Sequence, residues 1–337
     1  MALTAIIPAA GEGTRLRPHT YSLPKALLPV AGKPVLAHIL DPLVAVGVDR
    51  VILVLGHLSE RISAWVQERY PHLAVEVVLQ PERLGLGHAI WCALEGARLF
   101  AGPGLIILGD TIVRADLAGL LATPGHGMGV RTVEDPRRFG VAVTEGGRIV
   151  GLEEKPQRPR SNLALVGLYH VRDLAPLHAG LARLIAEGRR TRGEYQLTDA
   201  LQGMIEAGER LSPFVIDGWF DVGKEESWLE TNRDLLAGAP QPKPRPGVRF
   251  HSPVAVPDSA EIAGSEIGPF VSLGDAVKIA DSRIANSIVG EGCVVTACGL
   301  RDSLIGARSV LSGLNGHYNL GEDCVATQTD PSPGAQR

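Results

Sequence analysis

The sequence predicts an α/β domain built on a mixed, mainly parallel sheet, followed by a short parallel β-helix. Three observations predict it. Strand-like and helix-like segments alternate from Thr4 to Asp110. A proline-rich stretch, "APQPKPRPG", then separates two textures. Beyond it helical periodicity stops, and short β-branched steps with Gly, Ala, Asp and Ser take over. A β-α-β-α order puts helices on both faces of a parallel sheet, and ligands then sit beyond the carboxyl ends of the strands.

"TAIIPA" is a short apolar strand, and "KPVLAHILDPLVAVG" has helical spacing up to Gly47. "RVILVLG" is a continuous β-branched strand. "SERISAWVQERY" is a helix capped by Ser59, with Ile62, Trp65 and Val66 on one face. "LAVEVVLQ" is a strand, "GHAIWCALEGARLF" a helix and "GLIILGD" a strand. "FGVAVTE", "GRIVGLEE" and "LALVGLYHV" read as strands, and "GEYQLTDALQGMIEAG" as a helix. "SWLETNRDLLAG" closes the domain, with Gly238 as its stop. The expected division is therefore a first domain at 1–238, a semi-rigid linker at 239–247, repeat coils at 248–327 and a flexible tail at 328–337. Within the repeats "IANSIVGEGCVV" (284–295) aligns with "LRDSLIGARSVL" (300–311), matching Ser287 to Ser303 and Gly290 to Gly306. "IAGSEIGPFVSL" (262–273) reads as a weaker third copy. Hexapeptide steps of this kind signal a parallel β-helix, because no single coil can bury its own apolar face.

Composition narrows the function. The 337 residues carry a net charge of −4, without the basic excess of a nucleic-acid binder. Cys92, Cys293, Cys298 and Cys324 form no C-x-x-C pair, so they read as thiols of a reducing compartment rather than a disulfide or zinc framework. No apolar run approaches the ~18 residues of a membrane span. The opening apolar stretch lacks a basic flank and is broken by Pro8 and Gly11, unlike a signal peptide. A cytoplasmic protein with small-molecule substrates is the expectation.

"PAAGEGTRLRP" follows the first strand. Glycines let backbone N–H groups approach an anion, and arginine and lysine neutralise it. A dinucleotide fingerprint would need a third glycine where Leu16 stands, and the Walker Gly-Lys-Ser/Thr is absent. Gly11, Gly13, Arg15 and, in "SLPKALLPV", Lys25 read together as a phosphate site. Asp110 ends a buried strand and points to the crevice, or else forms a turn.

"GEGTRLRPHTYSLPKALLPVAGKPVL" resembles the signature of the sugar-1-phosphate nucleotidylyltransferases. The resemblance spans nearly the whole chain. "GWFDVGKEESWLETNRDLL" and "HYNLGEDC" are similar to the long form of glucose-1-phosphate thymidylyltransferase. It implies a Rossmann-like nucleotidyltransferase domain followed by a left-handed β-helix. It also implies a reaction of dTTP or UTP with a sugar 1-phosphate, glucose 1-phosphate being the one expected, giving dTDP-glucose or UDP-glucose and pyrophosphate.

The resemblance assigns residues as well. Ala10, Gly11, Gly13 and Thr14 would bind the nucleotide, with Arg15 and Lys25 on its phosphates. Gln80 would pair with the pyrimidine, whose amide side chain offers both donor and acceptor, and Gly85 would pack under the base. Asp110 and Asp221 would hold Mg²⁺, although Val222 stands where the family often has threonine. Gly140, Gly167 and Glu154 would meet the hexose and Lys155 would grip its phosphate; Tyr169 and Trp219 either flank the sugar or are core aromatics. His88 reads as structural. His317 would be the one base available for acyl transfer, on a helix too short for a coenzyme groove. The β-helix suits assembly of a homo-oligomer. Three rival readings accompany this one: a UTP-specific uridylyltransferase, a non-catalytic nucleotide-sugar-binding regulator, and a bifunctional acetyltransferase.

Overall fold

The computed structural model describes residues 3–56 and 58–328, so all but the first residue of the expected 328–337 tail lies outside the described residues. The chain divides into two compact units. One takes the chain up to Glu12 and Leu36–Phe220; the other takes Gly13–Val35 and the chain from Asp221 onward. This division cuts across chain order, since the loop after the first strand groups with the C-terminal coils.

The first unit is built on a nine-stranded sheet in the order Ala74–Leu79, Arg50–Leu55, Thr4–Pro8, Gly104–Ile107, Leu163–Val171, His126–Thr132, Leu211–Val215, Arg148–Glu154, Gly140–Glu145. The first four run parallel, as their β-α-β connections demand. Leu163–Val171 then enters antiparallel, and beyond it only Leu211–Val215 against His126–Thr132 is parallel. The sheet is thus mixed. Its last two strands form a hairpin through Gly146 and Gly147, whose φ of 55° and 75° suit a two-residue turn that matches the strand twist. Ile6, Ile52 and Ile106 lie side by side with no exposure, and Leu94, Leu177, Leu181 and Leu201 cover them.

Helices Val35–Ala45, Ser59–Arg69, Leu86–Gly96 and Leu197–Glu206 match the sequence reading. Ser59 is the first helical residue rather than the cap, which is Leu58 at φ 60°. The helix Leu174–Ala186 was not anticipated, though Asp173 caps it by accepting from Ala175 N–H. No helix among the described residues is long and apolar enough to cross a membrane.

In the second unit, three five-stranded parallel sheets repeat along the chain, which fits a β-helix. Ile262, Ile279, Val295, Leu311 and Ala326 stand in one column, and Ile267, Ile284 and Leu300 in another. The repeat of 284–295 with 300–311 is the true register: Ile284 faces Leu300, and Ser303 N–H donates to Ser287 Oγ at 3.0 Å. The third copy is slipped. Ser265 stacks on Ser282, not on Ser287. A coil has three similar sides, so a pattern displaced by one side still aligns by composition. Lys243 and Arg245 of the expected spacer are fastened to this unit, through Asp258 and the carbonyls of Pro257 and Ala260.

Gly274, Gly290 and Gly306 recur once per coil because the next coil lies against their Cα. A Cβ at Gly290 would meet Ala307 N at 2.5 Å. Gly290→Ala is expected to destabilise the chain by about 1–3 kcal/mol through overpacking. A thermal melt coincident with the unsubstituted protein would contradict the close stacking.

Candidate active site

Three strand ends meet in the first unit because side chains are missing where backbones pass. Ala9 N–H donates to Val54 O at 2.8 Å, and Gly109 N–H to Pro8 O at 3.0 Å. A Cβ on Gly109 would lie 2.6 Å from that of Ala9, and one on Gly56 would lie 3.1 Å from Ala10 O. This sets Ala10 and Asp110 at neighbouring strand ends. Gly11 faces open space, and Asp110 is exposed, accepting from the Thr111 hydroxyl at 3.2 Å.

Gln80 leaves the strand Ala74–Leu79. Its amide nitrogen donates to Gly85 O at 3.2 Å and lies 3.2 Å from His88 Nδ1. A carbonyl oxygen can only accept, so the nitrogen must face Gly85 and the amide oxygen faces away. Burial lowers the pKa of His88, and a backbone hydrogen bond to Glu82 opposes that shift. Neutral His88 can therefore accept at Nδ1. Gly85 is held at φ 106°, and a Cβ there would stand 2.6 Å from Tyr195 O. Tyr195 N–H donates to Leu84 O at 2.7 Å, clamping the loop.

A second polar group gathers at the other side of this unit. Glu154 Oε2 accepts from the Thr198 hydroxyl at 2.7 Å, and Glu154 Oε1 lies 3.3 Å from Lys155 Nζ. A Cβ on Gly140 would come within 3.2 Å of Glu154 Oε2 and 3.1 Å of Thr198 Oγ1. Lys155 sits at φ 44°, its N–H bonded to Phe139 O. Gly167, at φ 81°, lies against Leu108. Tyr169 is a core side chain at 4% exposure, in the register of Ile106 and Met128. Of its two readings, the core one describes its burial. Burial first, and the Glu154 charge second, raise its pKa. Trp219 is half-buried with its ring 4.8 Å from Phe139.

The second unit carries the rest. Gly13, at φ 63°, has Thr20 Cγ2 and Lys25 Cβ at 3.0 and 3.3 Å from where its own Cβ would be. The Thr20 hydroxyl donates to Gly13 O at 2.8 Å. Lys25 is buried, while Thr14 and Arg15 are exposed. Asp221 is exposed; a Cβ on Gly223 would stand 2.6 Å from its Oδ2, so glycine leaves room for the carboxylate. Val222, the departure from the family pattern, is fully buried. His317 is bonded to Asp302 O and lies 2.9 Å from Glu225.

The structure thus gathers Gln80 with Gly85, Gly140 with Glu154 and Lys155, and Gly13 with Lys25. Sequence reasoning missed Thr198, His88 as the partner of Gln80, and His19. Thr198 lies in "GEYQLTDAL", whose helix was recognised without a role for its hydroxyl. Among the described residues no three His, Cys, Asp or Glu side chains gather as a metal cage. Asp110 and Asp221 are each exposed, and each offers hard carboxylate oxygens.

The family profile described as "Nucleotidyl transferase" matches residues 4–238. The chain is 32% identical to a glucose-1-phosphate thymidylyltransferase of Streptomyces antibioticus, over 99% of this chain and 96% of the relative. It is also 32% identical to the UTP–glucose-1-phosphate uridylyltransferase AglF of Haloferax volcanii, over 69% of this chain and 96% of that one. The solved structure of a UDP-glucose pyrophosphorylase complexed with UDP-glucose shares the fold, with a TM-score of 0.60 at 22% identity, over 70% of this chain and 99% of that chain.

Burial holds His19, His88 and His170 below the ordinary histidine value. As pH falls below about 6.5 the unfolded chain takes up protons that the folded chain refuses, so stability falls; above that pH neither state is charged and the contribution vanishes. The thermal midpoint is expected to drop between pH 7 and pH 5, and His88→Asn to flatten the drop. An unchanged slope in that variant would remove His88 from the account.

Proposed function

The chain belongs to the nucleotidyl transferase family, and from that premise we propose that it transfers a thymidylyl group from dTTP to glucose 1-phosphate, releasing pyrophosphate. The observation that carries this reading is the length of the likeness. The thymidylyltransferase relative aligns over 99% of the chain, C-terminal coils included, whereas the uridylyl relative aligns over 69%. UTP is the second reading, favoured by that relative's equal identity over its shorter span.

The sugar phosphate oxygen is already anionic at neutral pH and needs no general base. It attacks the α-phosphorus in line; the new P–O bond forms as the bond to the pyrophosphate oxygen breaks, and pyrophosphate leaves. The protein's part is positioning and charge neutralisation. Arg15 and Lys25 hold the triphosphate, with Ala10, Gly11, Gly13 and Thr14 offering backbone close to it. Asp110 and Asp221 would hold Mg²⁺, and the ion would supply neutralisation of phosphate charge. Lys155 aims the sugar phosphate, and Glu154, oriented by the Thr198 hydroxyl, accepts from sugar hydroxyls. Gly140 and Gly167 let the backbone approach the hexose, beside Trp219.

Gln80 supports a pyrimidine with an N3–H. Both amide hydrogens have acceptors, at Gly85 O and His88 Nδ1, so the side chain presents an oxygen. Thymine and uracil offer N3–H to it, whereas cytosine offers a lone pair. The proposed division of labour assigns catalysis to 1–238, the linker to 239–247 and a left-handed β-helix at 248–327 to assembly of a homo-oligomer.

Pyrophosphate release with Mg²⁺ and glucose 1-phosphate, run with dTTP and UTP in parallel, tests the reading. Higher kcat/KM with dTTP is expected; a preference for UTP moves the chain to the second reading. Lys25→Ala and Asp110→Asn are expected to lower kcat by about 10²–10³-fold in protein that still folds. Near-normal turnover in both, at saturating metal, would overturn their roles.

A further inference from the structure

The loop Gly13–Val35 has little structure of its own. It contains three single 3₁₀ turns of three residues each and a pair of two-residue strands. No continuous ladder sets the position of Lys25. Its shape must come from what it is fastened to, and within the second unit it is fastened to the coils and to the helix Glu225–Leu236.

The fastenings are part-buried side-chain hydrogen bonds. His19 is 4% exposed, and its Nε2 lies 2.8 Å from Asn319 Oδ1, across 300 residues of sequence. The Asn319 amide nitrogen donates to Glu225 Oε2 at 2.7 Å. A carboxylate only accepts, so Asn319 must turn its nitrogen to Glu225 and its oxygen to His19. For Nε2 to donate to that oxygen the ring carries its proton there, and burial, which lowers its pKa, favours the neutral form. The ring also meets Trp228 edge-on at 5.0 Å, and the Trp228 indole donates to Pro29 O at 2.7 Å. Next to His19 stands Thr20, whose hydroxyl closes the loop on Gly13, and Thr20 and Lys25 both crowd the space beside the Gly13 Cα.

We propose that Asn319, on the last coils of the repeat domain, is a positioning residue for nucleotidyl transfer: through His19 it fixes the loop that presents Lys25 to the triphosphate. The coils are then part of the catalytic apparatus and not only a platform for assembly. The inference rests on the phosphate-holding role of Lys25 given under the proposed function.

The test is a double-mutant cycle in the full-length protein, read as kcat and KM for dTTP and for glucose 1-phosphate. Asn319→Leu keeps the branched shape and removes both hydrogen bonds. It is expected to lower kcat about tenfold, the scale of a sub-ångström misplacement, with KM for glucose 1-phosphate unchanged. In a Lys25→Ala background the same change is expected to cost less than twofold, because both act through one loop. His19→Leu should reproduce Asn319→Leu, and His19→Gln, which restores a donor near Nε2, should recover most of the rate. These also serve if Asn319→Leu does not fold. If the leucine variants melt lower yet turn over normally, or their losses persist undiminished beside Lys25→Ala, Asn319 is only structural and the inference is overturned. If Lys25→Ala itself turns over normally, the phosphate role of the loop falls first, and the inference with it.

Discussion

One buried amide joins segments that the chain order keeps far apart. Asn232 has no exposure; its oxygen accepts from Ala31 N–H at 2.9 Å and from the Ser272 hydroxyl at 2.7 Å, and its nitrogen donates to Phe270 O at 3.2 Å. A buried amide left unpaired would cost a few kcal/mol, so all its bonds are required together. The loop Gly13–Val35, the closing helix and the coils therefore share one solution to a hydrogen-bonding problem. This is why the loop groups with the C-terminal residues and not with the strand it follows.

The first unit solves a different problem, that of bringing backbone close to backbone at the strand ends. Gly56 and Gly109 let the segment after the first strand pass within contact of its neighbours, and Gly85 and Gly87 do the same against Tyr195. Close backbone contacts of this kind leave little room for the strand ends to shift. Rigid placement of donors and charges is what a displacement at phosphorus requires, since the nucleophile needs no activation and the leaving group is already a good one.

Much of this was legible in the sequence where a period repeats. Continuous β-branched runs and helical spacing marked the sheet and its helices, and the coil repeat appeared as Ser287 over Ser303 and Gly290 over Gly306. The helix Leu174–Ala186 was legible too, from Asp173 as cap and Leu174, Leu177, Leu181 and Leu184 on one face, but it was overlooked. The slipped third repeat shows the limit of period alone, because the three sides of a coil look alike in composition. Tyr169 shows another limit: its strand is buried on both faces, so an apolar run does not say which side chain meets a ligand. The pairs that orient the site carry no local signal. Thr198 reaches Glu154 over 44 residues and Asn319 reaches His19 over 300, and only the folded chain brings them together.

The same logic of fixed orientation bears on the base. His88 packs beside Trp91 and Tyr195 and so cannot turn freely. Its Nδ1 and the Gly85 carbonyl hold the Gln80 amide nitrogen, and in the proposed reading the amide oxygen would face the base. An oxygen accepts from N3–H, which thymine and uracil share and cytosine lacks. One arrangement then serves both thymidylyl and uridylyl transfer, which is consistent with relatives of both kinds at equal identity. The two nucleotides differ by the 5-methyl and the 2′-hydroxyl. A methyl contact is worth only about 1–3 kcal/mol, whereas a site built to bond a hydroxyl rejects its absence far more strongly. In the proposed reading, a strong choice between dTTP and UTP would have to come from contacts to the ribose, with Gln80 and His88 setting the class of base rather than the member.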